Sequence, residues 1–180
     1  MTANISINSR NNVYEFITES SVRFSASESG NFKKSIIINT ATGSVTILKK
    51  TGWFKTKYEI NFPDGKAGIF EGFGGLKSNY VLTFENEKYF LYGHKGLLTS
   101  IFFNKNQIGY IEQEKKAIKG TTKYKLIANK DIDFLICWCL ILMLHNTSNS
   151  SSELPNDIDY DLGNIGPEEF GFNYDWKPIC

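Results

Sequence analysis

A chain of 180 residues and 20.4 kDa is one ordinary domain, or one domain with a tail, and can bury roughly 70% of its extended surface without staples. Hydrophobic residues at 41% and charged residues at 22% exclude global disorder, and a net charge of +1 gives no bulk attraction to nucleic acid. Aromatics at 14% lean towards strands, since flat rings pack well on pleated surfaces.

The chain opens on MTANISINSRNNVYEF, which has no basic start followed by an apolar run, so no secretory signal is expected. From residue 34 the sequence reads as hairpins. Apolar or alternating runs at 34–41, 44–49, 56–62, 67–73, 79–84, 88–92, 98–103, 107–113 and 121–128 are separated by turn signals such as Thr42-Gly43, Pro63-Asp64-Gly65-Lys66, Glu85-Asn86-Glu87 and Asn104-Lys105-Asn106. Loops this short suit antiparallel pairing and predict a sandwich or barrel.

FLICWCLILML, from Phe134 to Leu144, breaks that pattern. Asp131 and Asp133 precede it and His145 follows it, the charge order that a helix dipole favours, so a helix is expected over 131–145. Eleven helical residues span about 16 Å, roughly half a membrane's hydrocarbon core, which predicts a core element and no transmembrane span. A helix apolar on every side needs walls on every side. The expected fold is therefore mainly β: a closed antiparallel barrel of about ten to twelve strands around a buried C-terminal helix.

Residues 147–180 hold seven acids and one base, for a net charge of −6, so residues 1–146 carry +7. The expected division is a barrel domain at 1–146, then a Ser-rich linker opening on NTSNSSSELPND and an acidic aromatic tail with Tyr160, Phe170, Phe172, Tyr174 and Trp176. Two readings of those rings stay open: a tail that packs on its own body, or a segment that docks into a protein partner or blocks the basic body.

Shifted by 66 residues, GSVTILKKTGWFKTKYEI (43–60) lies over GYIEQEKKAIKGTTKYKL (109–126) without a gap, a strand–KK–turn–KY–strand unit used twice. KKTGWFKTKYEI (49–60), DGKAGIFEG (64–72) and LYGHKGLLTSIFFNKNQIGYIEQEKKAIKGTTKYKL (91–126), followed by the apolar helix, resemble the tubby C-terminal-like or LURP-one-related domain, whose small members look related to phospholipid scramblases. The resemblance covers about residues 34–146 and implies the helix-threaded barrel again, with recognition of anionic phospholipid or phosphoinositide headgroups by surface lysines. The chain departs from the family at Lys119-Gly120, which stand where the first unit has Trp53-Phe54, and in its tail, which inherits nothing.

Catalytic and metal chemistry find little to stand on. Cys137 and Cys139 sit two apart on the apolar run, face different directions on a helix, and have no second ligand cluster, so neither zinc nor any other cofactor is expected. Cys180 is the odd third cysteine and is not placed for prenylation, and this usage fits a reducing cytoplasm. His94 lies in Gly-His-Lys-Gly without a nucleophile motif. Gly72-Phe73-Gly74-Gly75 lacks the Lys-Ser/Thr of a phosphate loop, while Asp64/Glu71 and Asp131/Asp133 are explained by a turn and a helix cap. No enzyme is expected.

Lysines carry the remaining signal. Lys49, Lys50, Lys55 and Lys57 surround Trp53-Phe54 at one inter-strand corner, and Lys115, Lys116, Lys119, Lys123 and Lys125 form the equivalent corner. Ammonium groups with exposed rings suit an anionic membrane interface, whereas solvated strand ends guarded by lysine are the plainer reading. The expectations are therefore a cytoplasmic lipid-binding module peripheral to the membrane, or a protein-binding and inhibitory module of immunity or antitoxin type. No nucleic-acid partner is expected, since no recognition module appears.

Overall fold

In a computed structural model the described residues are 2–10, 13–17, 23–29, 35–40, 43–51, 56–73, 79–94, 96–114, 121–150 and 171–179. They build twelve strands and one helix, a mainly β fold. The strands are β1 (Thr2–Arg10), β2 (Val13–Ile17), β3 (Arg23–Ser29), β4 (Ser35–Thr40), β5 (Gly43–Thr51), β6 (Thr56–Asn61), β7 (Ala67–Phe73), β8 (Asn79–Phe84), β9 (Glu87–His94), β10 (Leu98–Phe103), β11 (Asn106–Gln113) and β12 (Thr121–Ala128), and the helix is α1 (Phe134–Ser150). Every strand runs antiparallel to its sequence neighbours, and β1 pairs with β12 on one side and β2 on the other.

The three strands before residue 34 were outside the predicted set. Their pattern is short: Ala3, Ile5 and Ile7 alternate with polar residues, and all three are buried. From β4 onward the predicted runs match the observed strands to within about two residues at each end. Turn chemistry explains the agreement. Asn104 and Lys105 both take positive φ (48° and 66°), the two-residue hairpin geometry whose twist matches the flanking strands. Asp64 Oδ1 accepts the Lys66 backbone N–H at 3.2 Å, while Gly65 supplies the left-handed backbone (φ 86°).

Period-two alternation turns one face of the sheet towards α1. Ile5, Ile7, Ile38, Ile47, Tyr58, Ile60, Phe70, Leu82, Leu91, Ile101 and Leu126 are fully buried there, in one cluster with residues 136–144 of the helix. Two hydrogen bonds fasten helix to strands. Tyr14 Oη donates to Asn146 Oδ1 at 2.9 Å, and Tyr124 Oη pairs with His145 Nδ1 at 2.9 Å.

The helix differs from the expected 131–145 at both ends. Asp133 is its N-cap, its Oδ1 accepting the Leu135 N–H at 2.7 Å, so residues 131–133 precede the helix. At the other end the helix continues to Ser150, four residues into the stretch read as linker. Asn146 Nδ2 and Thr147 Oγ1 donate to the carbonyls of Leu142 and Leu144, so these polar residues bond within the last turns. His145 is not the terminal cation that the sequence suggested. It lies inside the helix, 2% exposed, where burial pushes its pKa down to about 4 and keeps it neutral.

The 66-residue shift overlays the β5–β6 hairpin on β11–β12. The glycines that it aligns serve different needs. Gly43 opens β5 with φ 138°, and a Cβ there would stand 2.7 Å from Pro63 Cβ. Gly109 sits mid-strand, where a Cβ would come within 2.9 Å of the Ile127 carbonyl oxygen. Among the described residues no helix is long and apolar enough to cross a membrane.

Candidate functional site

The outer face of β9, β10 and β11 departs from the usual wet exterior of a sheet. Tyr92, Ser100 and Phe102 point away from α1, yet they are 3%, 0% and 4% exposed. A β-bulge extends this face. Ile101 pairs with Gly109, but Phe102 pairs with Gln107, so Ile108 is the extra residue and Gln107 is turned outward. Asn129 follows the inward-facing Ala128, so its side chain also points outward, and its backbone N–H bonds the Ile108 carbonyl at 2.9 Å. One irregularity thus brings two buried amides to the outer surface.

Residues 171–179 lie across this face. The Asn173 backbone N–H donates to Gln107 Oε1 at 3.0 Å, and the Ile179 N–H donates to Asn129 Oδ1 at 2.9 Å. Phe172 packs edge-on between His94 and Tyr110, with ring centroids 5.4 and 5.3 Å away, and Trp176 meets Tyr110 at 6.1 Å. Partial burial raises the Tyr110 pKa above its ordinary value. Of the predicted tail rings, Phe172 and Trp176 therefore pack on the chain's own body, while Tyr174 stays 79% exposed. Tyr160 and Phe170 lie outside the described residues. The anchors Gln107, Asn129 and Tyr110 were missed; the break in β11's alternation at Gln107-Ile108-Gly109 was their one sequence signal.

Beneath Phe172, His94 Nε2 and Ser100 Oγ are 2.6 Å apart. This is a pairing of the β9–β10 hairpin that the reading of His94 alone did not find. Ser100 has no exposed surface and its hydroxyl also reaches the Tyr92 carbonyl at 3.5 Å, so it packs the face and offers no open nucleophile. Cys137 and Cys139 are buried on α1, where the apolar surroundings push the Cys137 thiol up to about 12 and Cys139 higher still. Among the described residues no group of three His, Cys, Asp or Glu side chains could hold a metal ion.

The predicted basic corners divide. Trp53, Lys55, Lys115, Lys116 and Lys119 lie outside the described residues. Alternation puts Lys49 on the same face as the buried Val45 and Ile47, opposite Tyr58, and Lys50 on the outer face. Lys50 Nζ meets Glu59 Oε2 at 2.7 Å, and Lys57 stands across the ladder from Glu71. Lys123 Nζ lies 3.7 Å from Glu114 Oε2, and Lys125 faces Glu112. Each outer lysine described here thus has an acid beside it. Because successive strands alternate in direction, β5 and β11 both end at the same end of the sheet, which places Lys49, Lys50 and Lys57 of the first corner and Lys123 of the second towards that end.

No protein-family model, no curated protein and no solved structure matches this chain.

Proposed function

We propose that this chain is a non-enzymatic binding module: a closed barrel threaded by its own helix, of the tubby-like kind, that associates with anionic phospholipid surfaces through lysines at one end. The observation that supports this reading is that, among the described residues, Lys49, Lys50 and Lys57 of one corner and Lys123 of the other lie towards the same end of the sheet. A lysine near an anionic surface contributes about 1 kcal/mol, and the acids beside Lys50, Lys57, Lys123 and Lys125 reduce that figure. The attachment is therefore weak, reversible and sensitive to salt.

Co-sedimentation of the full chain with phosphatidylserine-containing and pure phosphatidylcholine vesicles tests it. Binding to the anionic vesicles alone is expected, falling with salt and about tenfold in the Lys50→Gln/Lys57→Gln variant. Equal recovery with both vesicles, or indifference to that variant, removes the lipid reading.

A second reading, protein binding, is favoured by a different observation: an extended segment already seated on the outer face of β9–β11 through its backbone. Both readings leave the chain without catalytic residues, and a cytoplasmic, membrane-peripheral location suits the first.

A further inference from the structure

The seat of residues 171–179 has the parts of a peptide-recognition groove. Two side-chain amides read backbone N–H groups at positions 173 and 179, a contact indifferent to the side chains of the occupant. Selectivity comes from the rings: Phe172 meets both His94 and Tyr110 edge-on, and Trp176, four residues on, also meets Tyr110 edge-on. The side chains of Tyr174, between the two rings, and of Ile179, beyond them, point to solvent, 79% and 73% exposed.

The resident segment also fits imperfectly. An open cleft of about 630 Å³ lies beside it among the described residues, lined by Phe102, Lys105, Ile108, Asn129 and Trp176. Gln107 is 9% exposed, and among the described residues its Nε2 has no hydrogen-bond partner although its Oε1 is engaged. A buried donor without an acceptor is costly, so an occupant that offers it one and fills the cleft binds better than the same segment without those contacts.

Resting on the protein-binding reading, we propose that the outer face of β9–β11 is a groove for an extended segment of a partner protein that carries two aromatic rings four residues apart. Residues 171–179 are its resident occupant, and the partner's segment displaces them. The resident lowers the apparent affinity of any competitor by the fraction of time that it is seated. Weakening the resident therefore strengthens binding in trans.

The test uses the full chain and a fluorescein-labelled synthetic peptide of residues 171–179, read by anisotropy, with thermal melts confirming that each variant is folded. The wild-type chain should bind the peptide weakly, and the Trp176→Ala chain about tenfold more tightly. Adding Asn129→Ala to the Trp176→Ala chain should abolish the gain, and a peptide with alanine at both ring positions should not bind. Saturable binding that ignores Asn129→Ala would put the peptide elsewhere, overturning the groove while leaving a protein-binding role standing. No binding by any variant overturns both. A concentration-dependent dimer with exchanged C-terminal segments would give the groove to a second copy of the chain and overturn the separate partner.

Discussion

Strands β9 to β11 are covered on both faces, and the two covers are unlike. On the inner face α1 presents residues 136–144, all buried and mostly apolar, and at its C-terminal turns Tyr14 and Tyr124 bond Asn146 and His145. On the outer face nine residues suffice, held by two backbone-to-amide bonds and three ring contacts to His94 and Tyr110. The inner cover is the core itself, so its loss is the loss of the fold. The outer cover rests on few contacts, so its opening with the sheet intact is the expectation that separates it from the inner one.

The largest effect should come from the inner cover. Leu140→Ala or Ile141→Ala removes a fully enclosed side chain and is expected to lower unfolding free energy by about 2–5 kcal/mol, measured by urea titration. Acid should act on the same cover next. His145 has its folded pKa at about 4, below the ordinary 6.5 of the unfolded chain, so between those values the unfolded state binds more protons. Stability should then fall as pH drops from about 6.5 towards 4, by up to about 1.4 kcal/mol per pH unit, and His145→Gln should flatten that slope. If the slope survives the substitution, other groups carry it.

The smallest effect belongs to the outer cover. Trp176→Ala should change global stability by less than about 1 kcal/mol, while the Asn173 and Ile179 amides lose hydrogen-exchange protection. A Trp176→Ala chain as destabilised as Leu140→Ala would erase the distinction between the two covers.

The inner cover was legible in the sequence and the outer one was not, for a physical reason. An apolar run with no polar face states its own burial, and turn residues with special backbone needs mark the strands around it. The short alternation of β1 and the polar residues of β3 state much less. The outer site depends on register: one extra residue at Ile108 decides which way Gln107 points, and only the pairing of β10 with β11 reveals it. The lysines were legible as charge. Their neighbours Glu59 and Glu114 were not, because those contacts cross ladders. The tail's rings were noticed as too many for a solvating segment, but their seat was invisible until His94 and Tyr110 came together.

The pairing of Thr2 with Ile127 has a consequence for how the molecule is made. β1 is synthesised before β12 and must wait for it before its second edge is satisfied, and α1 emerges later still. Eleven of the twelve strand pairings join sequence neighbours, so this one distant pairing carries the loop-closure entropy that is paid last. During synthesis Ile5 and Ile7 stand unpaired on that side, an invitation to aggregation that chaperones would have to shield.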